Sequence, residues 1–274
     1  MGRWAAGPPN GKRRAPREAS GLRSNEDYTD AADAPRIATI YNGLSGRGQF
    51  VPFRKGDPDG NRWLDDEPLF VRWVSADVIW LFGNSGRREE RMPVMRNAHF
   101  YFTAGLTYNI HARGVLMKSK LLRDCVFDAS ASMLCPTTRA VPAEHLLALF
   151  NSHVVSFYIK KFVNNTWHEI SDLRQIPLVV PTAAQSKRIH TLVMLAFRAK
   201  RHDLAGTHPD NALVTAVRPI EAELALRGPA YLRPGAQQKL LATAADCLAI
   251  LERAVSWEAE RLYGVEGLGP FDEF

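Results

Sequence analysis

The chain has 274 residues, 46% apolar and 23% charged, enough apolar material to build a sizeable core in one large domain or two small ones. It contains no run of 18 apolar residues and no apolar segment behind the early basic residues, so neither a membrane span nor a secretory signal is expected. Three cysteines without a CxxC pair (Cys125, Cys135 and Cys247) argue against a disulfide framework or a zinc site and fit a reducing cytoplasm.

The net charge of +6 is unevenly spread. Residues 1–35 hold 6 basic and 5 acidic side chains, residues 36–123 hold 14 and 8, and residues 124–274 hold 15 and 16. The excess therefore sits in the middle third, where a localised cationic surface suits a polyanionic partner such as nucleic acid.

In chain order, residues 1–35 are rich in Gly, Pro, Arg, Ala and Asp and show neither helical nor strand period. They are expected to form a disordered leader. Short β-type runs follow at Ile37–Tyr41, Gly48–Phe53 and Leu69–Val74. Asp57-Pro-Asp-Gly60 supplies a turn, and Val78–Phe82 reads as a strand or a helix end before Gly83-Asn-Ser-Gly86. Ala98–Leu106, Val115–Met117 and Cys125–Ser132 continue the series, which predicts a curved, mostly antiparallel sheet.

After Pro142 the periodicity turns helical. The spacing predicts a helix over Ala143–Phe162, interrupted at Asn151-Ser152, then a polar loop at 164–168. Ile176–Pro181 reads as a short buried strand closed by proline. Further helices are expected over Ala183–Arg201, Leu213–Leu226 (bent near Pro219) and Pro234–Tyr263. The predicted class is α+β, with a β-rich recognition region over 36–182 and a helical part over 183–274. No internal repeat is present.

Independent catalysis finds little support in the sequence. Ser85 lies in GNSG and not in a G-x-S-x-G elbow, and no two histidines stand at HExxH spacing. Glu89-Glu90 and Asp65-Asp66 do not fall into a clear strand–carboxylate–Lys nuclease arrangement. Gly46-Arg-Gly48 is a lone GxG with no strand–glycine–helix unit around it.

Six segments in order carry a resemblance: Gly48-Gln-Phe-Val-Pro-Phe-Arg-Lys-Gly56 followed by Arg62-Trp63; Arg96-Asn-Ala-His-Phe-Tyr-Phe102 with Gly105-Leu-Thr-Tyr108; Cys125-Val-Phe-Asp128; Leu149-Phe-Asn-Ser152; Ile176-Pro177; and Arg261-Leu-Tyr-Gly264. Together they resemble the C-terminal target-recognition region of Eco57I-like, type IIG and BREX-type adenine-specific DNA methyltransferases of restriction–modification and phage-exclusion systems. The likeness spans most of residues 41–264. It implies sequence-specific binding of double-stranded DNA. It also implies a catalytic methyltransferase domain or subunit as partner, which would hold S-adenosylmethionine and the Asn-Pro-Pro-Tyr/Phe adenine pocket. Both the glycine-rich cofactor loop and that motif are missing from this sequence, so the resemblance implies recognition without chemistry here, and whether the chain acts as an enzyme stays open.

Such a module needs cations for phosphate and a few side chains for base edges. Arg54, Lys55 and Arg62 flank the Asp57–Gly60 turn; Arg87, Arg88, Arg91 and Arg96 follow a Gly-Asn-Ser-Gly turn; Lys118 and Lys120 precede a strand. These nine are the candidate phosphate contacts. Tyr108, Asn109, His111 and Arg113 combine an aromatic with base-reading polar types, and Asn164, Asn165 and Trp167 lie in the polar loop behind the organising helix. These seven are candidates for base or groove contact. A different class of function also fits, in which the helical half docks a protein partner and the basic face is incidental.

Overall fold

A computed structural model describes residues 34–55, 62–64, 69–88, 92–95, 97–108, 117–128, 131–135, 141–162, 169–235, 241–265 and 268. The architecture is α+β, with eight α-helices and two three-stranded sheets among the described residues. None of those helices is long and apolar enough to cross a membrane. The chain divides into two compact units that interleave along the sequence. The first draws on Met1–Lys55, Pro68–Thr103 and Arg123–Ser130. The second draws on Gly56–Glu67, Ala104–Leu122 and Ala131–Phe274. The second unit thus takes in residues on both sides of position 182.

The first unit contains α1 (Ala34–Asn42), β1 (Phe50–Arg54), β2 (Leu69–Arg72), α2 (Ser75–Asn84), a 3-10 turn at Ala98–Phe100 and, after the strands of the other unit, β5 (Val126–Phe127). Its sheet runs β2-β1-β5, antiparallel between β1 and β2 and parallel between β1 and β5. Trp73 is the centre of its core. The buried indole donates to the Thr39 carbonyl at 2.9 Å and meets Tyr101 and Phe102 edge-on at 6.0 and 6.1 Å. The Trp73 carbonyl accepts from the Leu44 N–H at 2.6 Å. That close approach requires Gly43, whose φ is +74° and where a Cβ would stand 2.6 Å from the Val74 carbonyl carbon.

Ile37–Tyr41 is not the β-run expected; it lies inside α1. Ile37, Ile40 and Tyr41 recur at i, i+3 and i+4. The helix buries Ile40 and brings the Tyr41 ring within 5.3 Å of Phe82 on α2. Tertiary packing here overrides the β preference of isoleucine and threonine. Val78–Phe82 likewise belongs to a helix, α2.

The second unit holds β3 (Gly105–Tyr108), β4 (Ser119–Leu122), β6 (Met133–Leu134), α3 (Ala143–Phe150), α4 (His153–Phe162), α5 (Ile170–Leu173), α6 (Ala183–Leu204), α7 (Asn211–Arg227) and α8 (Ala244–Tyr263). Its sheet runs β4-β3-β6, antiparallel throughout. Gly105 is needed where β3 meets β6, because a Cβ there would run into the Met133 side chain and stand 2.6 Å from the Leu134 carbonyl oxygen. The strands are thus shared between two sheets instead of forming a single one.

The core of this unit is the facing sides of α3, α6, α7 and α8, with Leu147, Leu192, Val193, Ala196, Leu213, Ile250 and Leu251 inside. Thr182 with Gln185, Asp210, and Thr243 with Asp246 cap α6, α7 and α8. Gly264 ends α8 at φ +62°. The α8 helix therefore starts at Ala244 and not at Pro234. α7 runs through Pro219.

The segment Ile176–Pro181 is not a strand: it joins no sheet, and Leu178 and Val180 are exposed. Two prolines remove two ladder donors from six residues, which is a physical reason for the failure. What fixes it is Tyr263, whose hydroxyl donates to the Pro177 carbonyl at 2.6 Å.

Candidate nucleic-acid interface

The two compact units differ in charge. The stretches of the first unit contain 16 Lys and Arg against 10 Asp and Glu, and those of the second contain 19 against 19. The whole net charge of +6 therefore belongs to the first unit, and the second is neutral.

Of the cations expected to touch phosphate, Arg54, Lys55, Arg87 and Arg88 fall in the first unit. Lys55 is exposed immediately after β1, and Arg87 and Arg88 are exposed just beyond the end of α2. Arg54 is half-buried at the last position of β1, and its carbonyl accepts from the Asp128 N–H at 3.2 Å. Arg91 and Arg96 lie outside the described residues.

The second unit places its expected contacts differently. Arg62 pairs with Glu252 of α8 at 3.2 Å, and the neighbouring Trp63 indole donates to the same carboxylate at 2.9 Å. Trp63 is fully buried at φ +74°, donates its N–H to the Ser119 carbonyl at 2.9 Å and accepts from the Leu121 N–H at 3.1 Å. Arg-Trp here locks the edge of β4 to a helix, and Arg62 is no loose cationic arm. Lys120 is buried in β4 opposite Thr107, and Lys118 is half-buried. Tyr108 is buried on β3, which pushes its hydroxyl pKa up to about 12 and leaves its ring no open face for a base. Asn109, His111, Arg113, Asn164, Asn165 and Trp167 lie outside the described residues.

In the sequence Asn151-Ser152 reads as a break in a helix and as part of the Leu149–Ser152 segment of the resemblance. The structure makes it a buried polar joint. The Asn151 side chain accepts from the Ser119 N–H at 2.8 Å and donates to the Ser119 carbonyl at 3.0 Å. Ser152 donates to the Leu149 carbonyl at 2.6 Å, closing α3. One turn on, Ser156 accepts from the Met117 N–H at 3.0 Å. The break between α3 and α4 therefore satisfies the exposed backbone edge of β4 with side chains, as a buried strand edge demands.

Sequence reasoning also missed the open side of the first unit's sheet. In the register Phe50↔Arg72, Val51↔Val71, Pro52↔Phe70, the alternation sends Val51 inward and Phe50 and Phe70 to the other face. Phe50 is 63% exposed and Phe70 58%. Arg72 on that face is held by a two-pronged ion pair to Asp77 of α2, at 2.6 and 2.9 Å. The pair raises the arginine pKa and lowers that of the aspartate, chiefly through these hydrogen bonds. Trp80, one turn along α2 from Asp77, is 52% exposed. The signal in sequence was the phase of phenylalanines at 50 and 70 against valines at 51 and 71, legible only once the pairing register is known.

The cleft of the second unit lined by His145, Leu149, Ile189, Val255, Ala259 and Leu262 is apolar and offers no carboxylate for a ribose and no glycine loop for the amino-acid end. Nor do three metal-ligating groups cluster among the described residues. No protein-family model matches this sequence, and no curated protein matches it.

Proposed function

We propose that this chain is the target-recognition, DNA-binding portion of a site-specific adenine-N6 DNA methyltransferase of a restriction–modification or phage-defence system, with S-adenosylmethionine and the chemistry on a separate catalytic domain. The observation that supports it most is the segregation of charge: all of the +6 lies in one unit, with Lys55, Arg87 and Arg88 exposed there. A net excess of cations in one unit suits a phosphate-tracking surface, since each neutralised phosphate releases counterions. In this reading the sheet of the first unit belongs to the curved recognition surface. The neutral helical unit is the scaffold and the docking side for the catalytic domain.

A second reading, a protein-docking subunit indifferent to DNA, draws on Phe162 and Leu226, which are exposed at the ends of α4 and α7 in the neutral unit. Selection of bound duplexes from a randomised library across a salt series separates the two. The recognition reading expects binding that weakens with salt and an enriched sequence in the bound pool. A folded chain that retains no duplex at low salt would leave the docking subunit.

A further inference from the structure

We propose that the face of the paired strands β1 and β2 that carries Phe50 and Phe70 is a stacking platform for unpaired DNA bases, with these two phenylalanines as its rings. The proposal rests on the DNA-binding reading above and specifies which part of the nucleic acid this face takes.

Three observations converge on it. First, the two phenylalanines are exposed on the same face of paired strands. Phe70 stands opposite Pro52, and Phe50 stands opposite Arg72, so the rings are diagonal cross-strand neighbours, at roughly 7–8 Å between backbones. A flat ring with an open face can hold any base, because every base has a π-surface. Second, the surroundings are cationic and not merely apolar. Arg72 lies in line with Phe50 and is oriented by Asp77, Lys55 is exposed beyond the end of β1, and the unit carries the whole positive excess of the chain. Rings for bases set among cations for phosphates are the combination by which proteins take single strands. Third, none of these rings supports the core of its own unit. Val51, Trp73, Val78, Phe82 and Val126 fill that role, while Phe50 and Phe70 keep more than half of their surface in solvent.

A duplex keeps its bases stacked on one another and shows rings only at its ends. The platform therefore discriminates: it adds affinity for a single strand, or for a duplex opened around an extruded base, and adds none for a closed duplex.

The test uses the full chain and three fluorescent 20-nucleotide probes: a single strand, a closed duplex and a duplex with a central three-nucleotide unpaired bubble. Phe50→Ala and Phe70→Ala are each expected to weaken binding to the single strand and the bubble by about tenfold or more, from the usual contribution of base–aromatic stacking, while closed-duplex affinity stays unchanged. Phe50→Tyr and Phe70→Tyr, which keep a ring, are expected to restore the wild-type preference. Circular dichroism of each variant checks that the fold is retained. Wild-type chain that binds closed duplex yet shows no preference for the bubble, or a preference untouched by both alanine variants, overturns the platform and leaves the DNA-binding reading standing. Failure to bind any of the three probes overturns both. Loss of self-association in the alanine variants, with DNA binding intact, assigns the rings to a protein contact and also overturns the proposal.

Discussion

The two units use polar side chains in opposite ways. In the second unit several of them tie its own elements together. Arg62 and Trp63 meet Glu252, Asn151 is spent on Ser119, and Arg188 of α6 ties Glu223 of α7 to Glu258 of α8. Its 19 cations are matched by 19 anions. In the first unit the cations outnumber the acids, several stand in solvent, and aromatic rings stand in solvent beside them. The second unit balances its charges, whereas the first keeps a positive excess, with Lys55, Arg87 and Arg88 in solvent. A charge count along the sequence conflates the two, because Arg62 and Lys120 count equally with Lys55 and Arg88.

The largest expected effect tests this contrast directly. Reversing Lys55, Arg87 and Arg88 together to glutamate is expected to weaken duplex binding by at least ~100-fold at low salt and to flatten its salt dependence, as the loss of about three phosphate contacts requires. The matched reversal in the second unit, Lys187→Glu with Arg201→Glu on the exposed side of α6, is expected to change binding no more than about threefold, through its long-range field alone. Equal losses from both sets, read by fluorescence anisotropy, break the comparison.

Stability runs the other way. Asn151→Ala strips two hydrogen bonds from the buried Ser119 backbone inside the second unit; its carbonyl keeps the Trp63 N–H but its own N–H loses Asn151, a loss of about 2–3 kcal/mol in chemical denaturation. Asn151→Asp is expected to be no better, because a carboxylate accepts from the Ser119 N–H but repels its carbonyl. A smaller loss, about 1–3 kcal/mol, is expected for Gly105→Ala, where the added methyl meets the Leu134 carbonyl. A Gly105→Ala protein as stable as wild type contradicts the close approach of β3 and β6.

The smallest effect concerns acid. The Leu213 N–H and the Arg198 guanidinium, with His202 beside them, hold the Asp210 carboxyl at about 2, below the ordinary 3.8. A carboxyl with a depressed folded-state pKa stabilises above its unfolded value and loses that contribution as pH falls through the folded one. The melting temperature of Asp210→Ala should therefore lie below wild type at pH 7, with the gap closing between about pH 4 and pH 2. Asp210→Asn, which can still cap α7, should fall between them. A gap that persists unchanged at pH 2 rules out the charge as its source.

Much of the helical unit is legible from apolar spacing, which finds α6, α7 and α8, whereas the start of α8 at Thr243 is not read from it. The strand-like half was less so. Ile37–Tyr41 carries β-branched residues but folds as a helix because a second helix is there to receive Ile40 and Tyr41. Ile176–Pro181 reads as a buried strand by hydrophobicity alone, yet its prolines deny it a ladder. The candidate contacts divide along the same line. Lys55, Arg87 and Arg88 stand exposed as sequence reasoning expects, while Arg62, Lys120 and Tyr108 are consumed by partners or burial that only the fold reveals. Phe50 and Phe70 escaped notice because aromatic residues in strands read as core until the register shows which face they take.

The central claim is that DNA contacts concentrate in the first unit. Amide hydrogen exchange of the full chain, with and without a saturating duplex, tests it most directly. The account predicts added protection at residues 50–55, 69–72 and 84–88, with α6, α7 and α8 exchanging as before. Protection concentrated in those three helices, with none in the first unit, would contradict it.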